Sequence, residues 1–149
     1  KKLNGKLIEK KIITINNFYL KFLKKKPKIA ILGLNPHNSE FRSESEESKF
    51  IVPTIKKLKR NKYKVIGPFS ADTIFLNKNK YMYDVVVGMY HDQVLAPFKT
   101  LYSFDAINIT LGLKYIRVSP DHGTAKDIVG LNKANPLSLI RAIEFIFKI

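Results

Sequence analysis

Short apolar runs that stop abruptly at glycine and polar residues constrain the fold of this chain most. The clearest run covers residues 83–87, Tyr-Asp-Val-Val-Val, and ends at Gly88. A second run covers residues 29–34. An apolar, β-branched run bounded in this way predicts a strand that is buried on both faces, as in a parallel sheet. We therefore expect ligand-binding residues in the crevice just beyond the carboxyl ends of these strands.

The rest of the pattern alternates strands with helices. The predicted strands are residues 28–34, 64–66, 83–88, 106–110 and 115–118, and the predicted helices are residues 3–26, a second helix through Ile51, Ile55 and Leu58, a helical start at 70–75, and residues 136–147. Ser43 and Glu46 are spaced like a capping box for the second helix. Gly67-Pro68 predicts a turn, and the segment through Pro97 a loop. This order predicts an α/β protein in one structural unit, with three layers (α/β/α) and a mostly parallel, doubly wound sheet.

Composition narrows the class of protein. At 149 residues the chain has room for one ordinary domain or for a large part of a bigger protein. It contains no cysteine, which excludes disulfides, thiolate metal sites and cysteine nucleophiles. No apolar run approaches the roughly 20 residues that span a bilayer, and the lysine-rich start lacks the features of a signal peptide. We expect a cytoplasmic protein without a membrane partner.

The formal net charge of +15 raises the question of nucleic acid. Ten lysines and one glutamate lie in residues 1–28, and residues 56–64 carry six cations and no acid. Almost all of this charge is lysine, whereas arginine, which recognises bases and phosphates bidentately, occurs at only four positions. The pattern favours solvated lysine faces. A non-catalytic basic module that binds nucleic acid is kept as the alternative.

Polar, titratable residues follow the apolar runs. His37 lies in Asn35-Pro36-His37 and His91 lies in Tyr90-His91-Asp92-Gln93, each just past a predicted strand. Imidazoles beside a carboxylate or an amide suit a divalent metal ion. A catalytic metal usually has three protein ligands and an open position, so two histidines do not make a site. From spacing alone, hydrogen-bonded polar histidines in loops remain the alternative.

A series of motifs in one order resembles a known family. The motifs are Ile31-Leu-Gly-Leu-Asn-Pro-His37, Glu46-Glu47, Gly67-Pro68 followed by Ala71-Asp72-Thr73 and Phe75, Met89-Tyr-His-Asp-Gln93, Lys99, Ile107-Asn-Ile-Thr-Leu-Gly-Leu113, Ile116-Arg117 and Ser119-Pro-Asp-His-Gly-Thr-Ala125. They follow one another as in 4-hydroxythreonine-4-phosphate dehydrogenase, which catalyses a step of pyridoxal 5′-phosphate biosynthesis. The resemblance covers nearly the whole chain, and it implies a fold like that of isocitrate and isopropylmalate dehydrogenases.

This resemblance implies roles for individual residues. His37 and His91 would be two of the three ligands of one divalent metal ion, Zn, Mg or Co, and Asp92 would be catalytic. The implied substrate contacts are Lys99, Asn108 and Arg117. The two cations would supply fixed positive charge for a phosphorylated amino acid. Their alternative interpretation is as two more surface cations.

Residues 121–136 also resemble the adenosine-binding loop of isocitrate and isopropylmalate dehydrogenases. The implied cofactor contacts are His122, Gly123, Thr124, Asp127 and Asn135. An aspartate at position 127 can accept a hydrogen bond from a ribose 2′-hydroxyl and would repel a 2′-phosphate, so NAD is expected rather than NADP. Taken alone, the stretch would be interpreted as a helix-capping turn.

The resemblance further implies that the chain is part of a larger enzyme. Residues 1–149 would be the carboxyl-terminal portion of a two-domain dehydrogenase, with another metal-binding histidine and the substrate-phosphate contacts in an amino-terminal portion. The active site would lie at a homodimer interface. The chain departs from the family at three places. The family usually has a glycine-rich stretch where this chain has residues 38–43, glycine in place of Val94, and proline in place of Lys114. Glycine often serves positions with positive φ, which leaves the local geometry of these loops open.

Overall fold

The computed structural model describes residues 3–76 and 82–149. Its helices are α1 (Gly5–Phe22), α2 (Val52–Arg60), α3 (Asp92–Tyr102) and α4 (Leu137–Lys148), and its strands are β1 (Ile29–Leu32), β2 (Val65–Phe69), β3 (Val85–Val87), β4 (Ile107–Thr110) and β5 (Arg117–Pro120). A π-helical turn, Glu47–Ile51, leads into α2, and short 3₁₀ turns occupy Pro36–Phe41 and Lys126–Ile128. No helix in these two ranges is long and apolar enough to cross a membrane. The chain divides into two compact units, Lys1–Pro97 and Phe98–Ile149.

The first unit is built on a parallel three-stranded sheet in the order β2-β1-β3. Its central strand, β1, is buried along its whole length. Because successive side chains of a strand point to opposite faces, Ile29 and Ile31 pack into the core formed with α1 and α2, whereas Ala30 and Leu32 pack against Ile74. The predicted α/β class with a parallel sheet is confirmed.

The first helix forms on the predicted apolar stripe, but it is shorter than predicted. Asn4 caps α1, since its Oδ1 accepts a hydrogen bond from the Leu7 N–H at 2.9 Å. The apolar stripe of α1 buries Ile8 and Ile12 in the core. The helix ends at Phe22, earlier than predicted.

Asp84 connects the segment after α1 to the start of β3. Its carboxylate accepts hydrogen bonds from Lys25 Nζ at 2.5 Å and from the Lys28 N–H at 2.8 Å. These two hydrogen bonds, that from Lys25 first, hold the pKa of Asp84 below its ordinary value. Lys57 likewise pairs with Glu9 at 2.8 Å. Two lysines of the basic stretches therefore have intramolecular partners.

The prediction of a loop through Pro97 is wrong, because residues 92–102 form α3. Proline lacks the N–H that would bond to the Gln93 carbonyl one turn earlier, which argued against a helix. The helix places Val94 against the buried cluster around Leu32. Packing of this face offsets the missing hydrogen bond.

The turn predicted at Gly67-Pro68 is also wrong, since both residues lie inside β2. Among the described strands β2 is at the edge of its sheet, where a proline can stand without removing a hydrogen bond of the ladder. The helical start predicted at 70–75 is a succession of turns, in which the Thr73 N–H bonds to the Ser70 carbonyl at 3.4 Å.

The predicted capping box of the second helix does not form. Ser43 donates its hydroxyl to Glu44 at 2.6 Å. Instead, Ser45 Oγ accepts a hydrogen bond from the Ser48 N–H at 3.2 Å, at the start of the π-helical turn before α2. The helix exists as predicted, but a different serine begins it.

The second unit consists of the β4–β5 hairpin and α4, which packs on it. Both strands were predicted, but their antiparallel pairing was not. Ser138, in the first turn of α4, is fully buried. Its hydroxyl donates to the Ala106 carbonyl at 2.5 Å and accepts from the Asp121 N–H at 2.8 Å. One serine therefore ties both flanks of the hairpin to the helix.

Candidate active site

Two polar loops leave the parallel sheet of the first unit at the same end. β1 and β3 are neighbours and run parallel, with Ile29 opposite Val85. His37 lies in the loop after β1, and His91 lies in the loop after β3. The carboxyl ends of adjacent parallel strands form the crevice in which α/β proteins bind ligands. The fold thus brings the loops of both predicted metal ligands to one edge of the sheet.

A buried carboxylate organises the loop after β1. Glu47 is fully buried, and its Oε1 accepts hydrogen bonds from the N–H groups of Leu34 and Asn35, both at 2.8 Å. Its Oε2 accepts a hydrogen bond from Asn35 Nδ2 at 3.0 Å. Burial raises the pKa of Glu47, but these hydrogen bonds outweigh burial and hold the pKa below its ordinary value. Glu47 is therefore an ionised anchor for the loop.

The turn that carries His37 has a left-handed backbone. His37, Asn38, Glu40 and Phe41 have φ values of 52°, 56°, 50° and 56°. Residues with a Cβ adopt this region at a cost of roughly 1–2 kcal/mol each, whereas glycine adopts it freely. The residues present therefore hold a left-handed turn without glycine. The turn borders an open cleft of about 590 Å³ lined by Pro36, His37, Glu40, Arg42, Glu44 and Ser45.

The loop after β3 presents His91 with one ring nitrogen already engaged. His91 Nδ1 lies 2.6 Å from Asp92 Oδ1, and the two side chains are 74% and 81% exposed. A metal-binding histidine commonly holds its second nitrogen against a carboxylate, which fixes the tautomer and the ring orientation. With Nδ1 donating to Asp92, Nε2 is the nitrogen left for a metal ion. Asp92, the predicted catalytic residue, is placed to orient His91.

One face of the hairpin in the second unit collects polar side chains. Asn108 pairs with Ser119, and Thr110 pairs with Arg117. Residues directly opposite in an antiparallel pair share a face, as do residues two apart in one strand, so these four side chains share a face. Arg117 Nη1 donates to Thr110 Oγ1 at 3.1 Å. Two predicted substrate contacts, Asn108 and Arg117, are thereby brought together.

Lys99, the third predicted substrate contact, has an acidic partner. Its Nζ lies 3.6 Å from Asp121 Oδ2, and the Lys99 side chain is 51% exposed. Asp121 is itself held through its backbone by the buried Ser138. An ion pair this exposed contributes only about 0–1 kcal/mol to stability, so Lys99 stays available to an anionic ligand.

The predicted cofactor contacts lie in the loop between β5 and α4. All five are exposed: His122, Gly123, Thr124, Asp127 and Asn135. Asn135 Oδ1 accepts a hydrogen bond from the Leu137 N–H at 2.9 Å. This bond closes a local turn just before α4, whose N-cap position is held by Pro136 without a side-chain capping bond. Asp127 lies on the 3₁₀ turn with its carboxylate open to solvent.

Comparison with known proteins decides the family. The family model described as pyridoxal phosphate biosynthetic protein PdxA matches residues 1–146. This chain belongs to the PdxA family. The resemblance drawn from the motifs is confirmed, and the alternative of a basic binding module gains no support.

Curated and solved PdxA relatives set the extent of the match. The 4-hydroxythreonine-4-phosphate dehydrogenase of Bradyrhizobium diazoefficiens is 52% identical over 80% of this chain and 35% of its own length. That of Sulfurihydrogenibium sp. is 48% identical over 93% of this chain and 43% of its own length. The solved structure of a putative 4-hydroxythreonine-4-phosphate dehydrogenase from Salmonella typhimurium has a TM-score of 0.80 and 37% identity, covering 98% of this chain and 45% of that one. The isocitrate/isopropylmalate dehydrogenase-like fold is confirmed, and the chain spans less than half the length of these relatives.

The residues of this PdxA chain fit a divalent metal ion in part. Two imidazoles follow neighbouring parallel strands, and one of them is oriented by Asp92. This donor set suits a metal that accepts nitrogen ligands. Within residues 3–76 and 82–149, however, no three His, Asp or Glu residues gather closely enough to hold a metal. A complete metal site therefore needs at least one further ligand besides His37 and His91.

Three polar residues of this region have no role that follows from the sequence alone: Glu47, Gln93 and Asp121. All three occur within PdxA motifs, next to residues with an implied role. A polar motif residue that does not itself bind a ligand is a candidate for orienting the neighbouring residues that do. That signal could have identified Glu47 as the anchor of the His37 loop and Asp121 as the partner of Lys99.

Proposed function

We propose that this chain is the carboxyl-terminal portion of a two-domain, NAD- and divalent-metal-dependent 4-hydroxythreonine-4-phosphate dehydrogenase. The observation that carries the proposal is the PdxA family match over residues 1–146. Relatives with that enzyme name at 52% and 48% identity support it. Since the chain spans 35% and 43% of these two relatives, we assign the remainder of the enzyme to an amino-terminal portion. The cytoplasmic location stays a prediction.

The proposed reaction oxidises 4-phosphohydroxy-L-threonine to 2-amino-3-oxo-4-phosphooxybutanoate, which then loses carbon dioxide to give 3-amino-2-oxopropyl phosphate for pyridoxal 5′-phosphate biosynthesis. The substrate hydroxyl gives up its proton, and the carbon that bears it gives up a hydride. NAD supplies the hydride acceptor when it is bound. A divalent ion (Zn, Mg or Co) supplies positive charge that lowers the cost of hydroxyl deprotonation.

Residues of the second unit bind the substrate in this proposal. Arg117 offers a planar, permanently charged group to a phosphate or carboxylate, and its hydrogen bond to Thr110 at 3.1 Å limits its motion. Asn108, on the same hairpin face, can donate to and accept from the substrate. Lys99 adds a second cation, held near Asp121.

Residues of the first unit bind the metal ion in this proposal. His37 and His91 would be the ligands, with Asp92 holding the His91 ring through Nδ1 and leaving Nε2 for the ion. A homodimer in which both subunits contribute ligands, with another histidine from the amino-terminal portion, accounts for the lack of a three-residue cluster among residues 3–76 and 82–149. Sedimentation of the complete protein at the mass of two chains would support this assembly, and a monomer with full activity would contradict it.

The test compares the complete protein with residues 1–149 alone, each supplied with NAD and Zn²⁺, Mg²⁺ or Co²⁺. We expect the complete protein to reduce NAD with 4-phosphohydroxy-L-threonine and far less with unphosphorylated 4-hydroxythreonine, which lacks the phosphate that the amino-terminal portion would contact. Residues 1–149 alone should produce no NADH. NADH formed by residues 1–149 would overturn the two-part enzyme, and equal rates with both substrates would overturn the assigned substrate.

Cofactor choice gives a second prediction. If Asp127 accepts from the ribose 2′-hydroxyl, the complete protein prefers NAD, and Asp127→Ala should lower the ratio of kcat/KM for NAD over NADP about tenfold or more. A hydrogen bond to a charged group is worth about 1.5–3 kcal/mol, which corresponds to this range. Asp127→Asn keeps a hydrogen-bond acceptor without the charge. Its kcat/KM with NAD should therefore fall less than that of Asp127→Ala, and its kcat/KM with NADP should rise. An unmutated enzyme that uses both cofactors equally would remove this role from Asp127.

A further inference from the structure

A single buried side chain bridges the loops that follow β1 and β3. Gln93 exposes only 7% of its surface. Its Nε2 donates to the Gly33 carbonyl at 2.7 Å and lies 3.4 Å from the Leu34 carbonyl. Its Oε1 accepts a hydrogen bond from the Met89 N–H at 2.7 Å. One carboxamide therefore uses its donor end on the loop of His37 and its acceptor end on the loop of His91.

The chemistry of the bridge requires a carboxamide at this position. A carboxylate could accept from the Met89 N–H, but it would turn a second oxygen toward the Gly33 carbonyl, and the two would repel each other. An apolar side chain would leave both backbone groups without a partner in a buried place. Gln93 therefore satisfies two groups that neither a carboxylate nor a hydrocarbon of similar size can satisfy together.

Glu47 binds the same segment through the N–H groups of that segment. Gln93 donates hydrogen bonds to the carbonyls of Gly33 and Leu34, while Glu47 accepts hydrogen bonds from the N–H groups of Leu34 and Asn35. The segment that leads to His37 is thus fixed on both its donors and its acceptors. The amide of Gln93 and the carboxylate of Glu47 are both buried, and both hold backbone groups through these hydrogen bonds.

We infer that Gln93 is a positioning residue that sets the divalent-metal affinity of the enzyme by fixing the His37 and His91 loops relative to each other. The inference rests on the proposed function, in which these histidines bind the metal. His91 lies between the two ends of the bridge, because Met89 precedes it and Gln93 follows it in the chain. The bridge therefore restrains the backbone on both sides of His91, and it ties this backbone to the start of the His37 loop.

The test measures Zn²⁺ affinity of the complete protein by competition with a chromophoric chelator, together with the Tm of the metal-free protein. Gln93→Glu and Gln93→Leu should each weaken Zn²⁺ binding by about 10- to 100-fold, the usual effect of removing a group that orients metal ligands. Leu58→Ala is the matched control. It opens the fully buried core of the first unit, so it should lower the Tm while leaving Zn²⁺ affinity unchanged.

The outcomes separate this inference from the proposed function. If His37→Ala and His91→Ala leave Zn²⁺ affinity unchanged, the proposed metal site fails. If the histidine variants lose Zn²⁺ but Gln93→Glu and Gln93→Leu bind it like the unmutated protein, the positioning role alone fails. Equal losses of affinity in Leu58→Ala and the Gln93 variants would reduce the effect to general destabilisation and overturn the inference. So would failure of both Gln93 variants to fold, because Gln93 would then serve the fold instead of the site.

Discussion

His37→Ala or His91→Ala in the complete protein is expected to abolish metal-dependent turnover of 4-phosphohydroxy-L-threonine. The metal ion contributes several kcal/mol to the stabilisation of developing negative charge. Loss of about 4 kcal/mol corresponds to a fall in kcat of about a thousandfold. Both side chains are exposed, that of His91 by 74%, so each variant should keep the Tm of the metal-free protein. The measurements are NADH formation, Zn²⁺ affinity and thermal unfolding.

Two further variants make this test specific. Asp92→Asn keeps the His91 ligand but removes the carboxylate 2.6 Å from Nδ1, so it should cost about 10- to 100-fold in metal affinity or activity. His122→Ala removes the third histidine of the chain, which lies in the predicted cofactor loop, and it should leave Zn²⁺ affinity unchanged. If His37→Ala or His91→Ala turned over substrate at the unmutated rate, the assigned ligands would be refuted.

Gly67→Ala is expected to be the most destabilising single substitution proposed for this chain. A Cβ at position 67 would lie 2.3 Å from the carbonyl oxygen of Ile31, which belongs to the central strand β1. The φ angle of Gly67 is +143°, a conformation that residues with a side chain rarely adopt. Overpacking costs about 1–3 kcal/mol and the backbone strain about as much again. The free energy of unfolding in urea should therefore fall by about 2–6 kcal/mol.

Gly123→Ala is the matched control for stability. Nothing lies within 4 Å of a Cβ built at Gly123. An exposed substitution of this kind should change the free energy of unfolding by less than about 0.5 kcal/mol. If Gly67→Ala were as stable as Gly123→Ala, the close approach of β2 to β1 at Gly67 would be contradicted.

Local pattern was sufficient to predict the strands β1 and β3, although only β1 is buried along its whole length and β3 is half-buried. β1 and β3 were predicted because a wholly apolar, β-branched run has few alternatives in a folded chain. The first helix was predicted because its apolar residues recur at three- and four-residue steps within one short stretch. The histidines at the strand ends could be selected as site candidates for the same reason, since parallel strands of a sheet share one carboxyl end. Their identity as metal ligands came from the motifs and stays a proposal.

Pattern failed where a local preference was outweighed by packing or by an edge position. Pro97 argued for a loop, yet α3 forms because Val94 packs into a buried cluster. Gly67-Pro68 argued for a turn, yet the pair lies in an edge strand that can dispense with the proline N–H. In the helix, the preference against proline is worth about 3 kcal/mol, and burial of apolar side chains offsets an amount of that order.

The residue pattern predicts the α/β class, the strands β1 and β3, the helices α1, α2 and α4, and the position of each histidine just past a strand. Of these two strands only β1 is buried along its whole length. These features follow from periodicity and from the order of residues along the chain. The roles of Glu47 and Gln93, and the shared face of Asn108 and Arg117, are visible only in the folded protein. A hydrogen bond between Gln93 and Gly33, or the antiparallel pairing of Thr110 with Arg117, joins residues whose contact depends on chain reversal. No local pattern encodes such contacts, because they exist only after the strands have been brought side by side.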